Sequence, residues 1–139
     1  MSVFVDGGVL LAAANTGDGR HDRAAEILRE LAPRTTMTTD HVVVDTWNAL
    51  ERRFGHANAM RFWHSLRHTP LRVEAVTAPD LERALAIAET WADHEFHPVN
   101  CTSFAAMERL GIREAATFDP RFGQYRFGPD RREAFRIIR

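Results

Sequence analysis

Residues 97–122 read HPVNCTSFAAMERLGIREAATFDPRF. An apolar helix-forming run carries Cys101, Phe104 and Ala105, Gly111 punctuates it, and REAATFD follows as a strand ending in Asp119. A helix feeding a strand that ends on a carboxylate describes half of an α/β unit, and in open parallel sheets the functional crevice lies beyond the carboxyl ends of the strands. Asn100 opens the helix. Taken alone it suits an N-cap, and Thr102 and Ser103 fit a first helical turn as well as a site.

The rest of the chain repeats the alternation. SVFVD ends on Asp6 and passes directly into the helix-forming GGVLLAAAN. After the loop TGDGRHD, residues Ala24, Ala25, Ile27, Leu28 and Leu31 recur at helical spacing until Pro33. TTMTT is a β-branched strand segment, with Asp40 placed to cap the helix that follows. In that helix Val43, Trp47, Leu50 and Phe54 form one apolar face, and Gly55 stops it. A further helix covers HANAMRFWHSLRH, and LRVEAV then alternates as a strand. Leu81, Ala84, Leu85, Ala88 and Trp91 line one face of the next helix, and AFRII supplies a last edge strand. These elements predict one α/β domain over residues 1–139, with a mostly parallel central sheet of about five strands covered by helices on both faces.

Composition narrows the function classes. Apolar residues make up 45% and charged residues 27% of 139, as in globular proteins that bury a core. The net charge of −1 argues against a non-specific nucleic-acid binder, so any nucleic acid must be engaged locally. Lysine is absent, and the arginines cluster in ERRFGHANAMRF and PDRREAFRIIR, where they suit either solvated helix faces or phosphate contacts. Cys101 is alone and reads as a buried thiol. With neither a signal-like segment nor an apolar run near the roughly 18 residues that span a bilayer, a cytoplasmic protein is expected, with no membrane partner.

Asp6 and Asp119 both end strands, so neighbouring strands would bring them together although more than a hundred residues separate them. Asp45 interrupts the apolar VVVDTW, where a carboxylate needs a partner; Arg52 or Arg53 would serve structurally, and a shared site would serve functionally. Crowded carboxylates stay ionised near neutrality when a cation balances them, and hard oxygen ligands select Mg²⁺ or Mn²⁺. Such an ion can activate water against a phosphodiester. His64 and His68 are spaced i, i+4, but no third partner has zinc spacing.

Together, VFVDGGVLLAAAN, TTDHVVVDTWNALERRFG, HPVNCTSFAAMERLGI and EAATFDPRF resemble the PIN-domain family, and within it the VapC-type toxins of bacterial toxin–antitoxin pairs. The resemblance implies a three-layer α/β/α fold and a Mg²⁺- or Mn²⁺-dependent endoribonuclease. It assigns Asp6, Asp45, Asn100 and Asp119 to the four acidic, metal-binding catalytic positions. It also implies a cognate antitoxin, a transfer or ribosomal RNA substrate and a homodimer.

Three departures bear on activity. Gly7 and Gly8 stand where the family usually has a hydroxyl residue after the first acid, Asp45 is shorter than the more usual Glu, and Asn100 replaces an Asp. Asn keeps the shape of Asp but removes its charge and adds an NH₂ donor, so metal affinity and cleavage are expected to fall or vanish. The alternative is a non-catalytic module of the same fold that binds antitoxin or RNA. An aspartyl-phosphate phosphatase would need a second acid two residues after Asp6, and Gly8 is there.

Overall fold

The computed structural model describes residues 2–139. Its strands are β1 (Val3–Val5), β2 (Thr36–Thr39), β3 (Arg72–Glu74), β4 (Glu114–Ala116) and β5 (Arg136–Ile138). They form one sheet in the order β3-β2-β1-β4-β5, and every pairing is parallel. In the centre, Phe4 stands opposite Met37 on one side and Ala115 on the other. All three residues of β1 are buried, as expected of a central parallel strand covered on both faces.

Helices α1 (Gly7–Ala14) and α2 (His21–Leu31) connect β1 to β2, and α3 (Asp40–Phe54) and α4 (His56–Arg67) connect β2 to β3. Helices α5 (Ala78–Thr90) and α6 (Pro98–Leu110) then return the chain across the sheet to β4, and the short α7 (Arg121–Gln124) precedes β5. The first two crossovers step outward in one direction and the later ones run the other way. Right-handed connections therefore put α1 to α4 on one face and α5 to α7 on the other. This is the three-layer architecture expected. The reversal falls between β1 and β4, which is the topological switch point of the sheet.

Local chemistry differs from expectation in three places. Thr39, not Asp40, caps α3: its side chain accepts from the Val42 N–H at 3.2 Å. Asp40 occupies the first helical position, and its Oδ1 accepts from the N–H groups of His41 and Val76, both at 2.9 Å, tying α3 to the chain after β3. On α5 the buried residues are Asp80, Ala84 and Ile87, whereas Leu81 and Leu85 are 49% and 56% exposed. The helix is rotated by one position because Asp80 accepts from Arg109 Nε and Nη2 at 2.9 and 3.0 Å, bolting α5 to α6. An ion pair with a buried carboxylate thus takes the place expected for the apolar stripe. In β3 the expected alternation gives no buried face, since Arg72 and Val73 are both exposed on the sheet edge.

An aromatic cluster holds the final segment. Phe104 of α6 stacks on Tyr125 with centroids 4.5 Å apart and meets Phe122 edge-on at 4.9 Å, while Phe127 and Phe135 stack at 4.7 Å. Such contacts carry the chain past β4 and fold it back so that β5 can pair. Cys101 is buried and free, as its apolar neighbours predicted. Among the described residues no helix is long and apolar enough to cross a membrane.

Candidate active site

Asp6 immediately follows β1 and caps α1 by position. Its Oδ2 accepts from the Thr117 hydroxyl at 2.7 Å. Thr117 follows β4 directly, and its Oγ1 in turn accepts from the Asp119 N–H at 2.9 Å. One hydroxyl therefore links the two carboxylates across the switch point, and Asp119 reaches the site through a turn rather than from the last strand residue. Asp119 Oδ1 accepts from the Arg121 N–H at 2.9 Å and lies 3.4 Å from that guanidinium.

Asn100 lies in the first turn of α6, not at its cap, which is His97. Its side chain is nearly buried and fully engaged at both ends: Oδ1 accepts from the His97 N–H at 3.1 Å, and Nδ2 donates to Asp119 Oδ2 at 3.2 Å. Asp45, in the second turn of α3, is exposed. It suffers no burial cost and pairs with neither Arg52 nor Arg53, so the structural role considered for it is not observed. Asp6, Asp45, Asn100 and Asp119 all line one cavity of about 590 Å³, together with Gly7, Gly8, Arg20, Thr46, His97 and Phe118.

The electrostatics follow from this crowding. The Asp6 carboxyl is pushed up to about 6, first by burial and then by the negative charges of Asp119 and Asp45, against the opposing hydrogen bonds from Thr117 and the Gly7 N–H. A cation in the cavity would relieve that repulsion. Among the described residues no three His, Cys, Asp or Glu side chains gather closely enough to hold a metal ion without added waters, the three acids of this cavity included. A hydrated Mg²⁺ or Mn²⁺ needs no cage, because it keeps several waters and takes one or two carboxylates directly. The oxygen donors facing this cavity fit such an ion.

The chain is 38% identical over 120 residues to the 23S rRNA-specific endonuclease VapC20 of Mycobacterium tuberculosis, covering 86% of this chain and 91% of the relative. The chain belongs to the VapC family of PIN-domain toxins. The crystal structure of M. tuberculosis VapC20, described as a sarcin–ricin loop cleaving toxin, superposes with a TM-score of 0.77 at 37% identity, over 85% of this chain and 90% of that one. More distant VapC-like folds include VapBC2 from Rickettsia felis (TM-score 0.71, 10% identity, 99% and 98% coverage) and FitAcB from Neisseria gonorrhoeae (0.66, 13%, 85% and 88%). No family model matches the chain.

Within this VapC fold the two glycines differ. A Cβ on Gly7 would come within 2.9 Å of Thr46 Oγ1, so α1 and α3 approach too closely for a side chain there, while Gly8 faces open space. The hydroxyl that orders the first acid comes instead from Thr117. The sequence left Thr117, Arg20 and Arg121 unmarked, and His97 stood out only as a possible metal ligand four residues before Cys101. Of the unmarked three, Thr117 alone left a trace, as a hydroxyl residue two before an Asp, the spacing of a side-chain turn.

Proposed function

We propose that this chain is a divalent-metal-dependent endoribonuclease, the toxin of a toxin–antitoxin pair, with ribosomal RNA as its substrate class. The observation that carries the reading is the meeting of Asp6, Asp45, Asp119 and Asn100 on one cavity at the switch point of the sheet. The 38% identity to a 23S rRNA-specific endonuclease favours ribosomal over transfer RNA, and an antitoxin and a homodimer belong to the same reading.

Asp6, Asp45 and Asp119 would hold the Mg²⁺ or Mn²⁺ ion. When bound, that ion supplies an activated water and stabilises charge on the phosphodiester. The Thr117 hydroxyl holds Asp6 Oδ2 in place, and the Arg121 N–H holds Asp119 Oδ1, so both carboxylates are oriented before substrate arrives. Without an ion the Asp6 carboxyl is pushed up to about 6 by burial, and a bound cation would draw it back toward the ionised form that can serve as a ligand. Asn100 keeps the geometry of the cluster but withholds a charge, which weakens the cation's hold and slows cleavage.

A second reading, a non-catalytic VapC-like module, is favoured by that same Asn100, whose NH₂ already satisfies Asp119 without an ion. One experiment separates the two. RNA containing the sarcin–ricin loop is incubated with Mn²⁺ and either this chain or Asn100→Asp, with and without chelator. Cleavage by Asn100→Asp that chelator abolishes supports the enzyme. An inert Asn100→Asp that folds and binds the RNA assigns the module instead.

A further inference from the structure

The cavity is lined by three carboxylates, which repel the phosphates of RNA. Arg20, at the N-terminal edge of α2, is the one arginine lining it. Its guanidinium forms no ion pair among the described residues, either with Asp18 and Asp22 beside it in the chain or with the cavity acids. It lies over the Phe118 ring, 5.1 Å from the centroid, and Phe118 is the residue between Thr117 and Asp119. The guanidinium makes no side-chain hydrogen bond among the described residues, so its N–H donors are open to the fork-like contact a phosphate takes.

The backbone that presents Arg20 is fixed as well. The Asn15 side chain accepts from the Gly17 N–H at 3.1 Å, and the Asp18 side chain accepts from the Arg20 N–H at 2.7 Å. His21 N–H donates to Asp18 O at 3.0 Å, and His21 Nδ1 lies 2.9 Å from Ala12 O. The TGDG loop, featureless as sequence, is therefore a hydrogen-bonded bracket for one cation.

We propose that Arg20 grips a substrate phosphate next to the one that is cleaved, with Phe118 holding the guanidinium against the cavity mouth. The proposal rests on the ribonuclease reading. It gives an almost neutral chain a local anchor for RNA.

The test is the affinity of a fluorescein-labelled sarcin–ricin loop hairpin, measured by anisotropy in chelator across a salt series. The proteins compared are the unaltered chain, Arg20→Met, Arg20→Lys and the control Arg29→Met, which changes an arginine lining a different groove, with Leu31 and Thr36. Arg20→Met is expected to weaken binding about tenfold and to flatten the slope of log K against log salt by about 0.7 to 1, the loss of one phosphate contact. Arg20→Lys should recover the slope but only part of the affinity, since lysine has the charge without the fork. Arg29→Met should match the unaltered chain. Equal affinity and slope for Arg20→Met and the unaltered chain overturn the role of Arg20 and leave the ribonuclease reading standing. An unaltered chain that does not bind the hairpin in chelator overturns the anchor, which is meant to act without an ion, and leaves the ribonuclease reading to the Mn²⁺ cleavage assay.

Discussion

The amide nitrogen of Asn100 donates to Oδ2 of Asp119 at 3.2 Å. At the same place an aspartate would set one carboxylate against another. In chelator, Asn100→Asp should therefore lower stability by about 1–3 kcal/mol, as a satisfied buried pair becomes a like-charge pair. Mn²⁺ should reverse the order, raising the melting temperature of Asn100→Asp more than that of the unaltered chain, because binding to the folded state alone stabilises it. Melting curves with and without Mn²⁺ decide the matter, and equal Mn²⁺ shifts for both proteins count against a shared ion at this position.

Asp6 predicts a pH effect of opposite sign to the usual acid denaturation. Its folded pKa, about 6, lies above the unfolded value of 3.8, so the folded chain binds more protons between those values. This contribution is fully present below about pH 4 and is lost as pH rises through about 6, for a total of at most about 3 kcal/mol. In chelator, Asp6→Asn should thus be more stable than the unaltered chain at neutral pH, with the gap closing toward pH 4. Urea titrations at both ends of the window test it, and a gap that stays constant removes the assigned burial and repulsion.

The Asp80–Arg109 pair should behave in the ordinary sense. Burial raises the Asp80 carboxyl, but Arg109 and the Thr77 donors outweigh it and leave it below the usual range. Arg109→Ala leaves that carboxylate, 3% exposed, without its cation and should cost about 1–2 kcal/mol by urea unfolding at neutral pH, less than a fully buried pair because Arg109 itself is 36% exposed. The stabilisation lost is present above the unfolded carboxylate pKa and disappears as pH falls through the lower folded value, so the difference should shrink in acid. A loss under half a kcal/mol at neutral pH would show that the pair does not set the rotation of α5.

Gly7 and Gly8 should respond in opposite directions. Gly7→Ala forces a Cβ toward Thr46 Oγ1 at 2.9 Å and is expected to cost about 1–3 kcal/mol, with partial relief from a second change, Thr46→Ala. Gly8→Ala meets nothing and replaces the poorer helix former, for a gain of up to about 1 kcal/mol. Thermal melts of the three variants suffice, and a stable Gly7→Ala would mean that α1 and α3 can separate.

Strand and helix alternation was readable because central parallel strands must be apolar on both faces, as VFV is. Asp6 was readable for a related reason: a carboxylate directly after such a run sits at its end, whereas Asp119 lies beyond Thr117 and Phe118, in a turn that the strand pattern does not reveal. Resemblance supplied the role of Asn100, which capping chemistry alone explains equally well. The face of α5 was misread because Leu81, Ala84, Leu85 and Ala88 form a plausible stripe, and nothing local reveals that Arg109, far along the chain, will claim Asp80. The apolar valines around Asp45 predict burial, yet Val44 is 52% exposed and the helix turns both residues outward. Arg20 was invisible for the same reason as Asp80: its partner, Phe118, is distant in sequence.

The hydrogen bond from Thr117 to Asp6 spans 111 positions of the chain. The middle strand of the sheet is made first, yet its β4 edge stays bare until Glu114–Ala116 have been synthesised. A polypeptide broken off before that point has one acid of the cluster at an unfinished edge, and it lacks both the hydroxyl that orients Asp6 and Asp119 itself. On the ribonuclease reading the site is therefore put together only once β1 and β4 have paired.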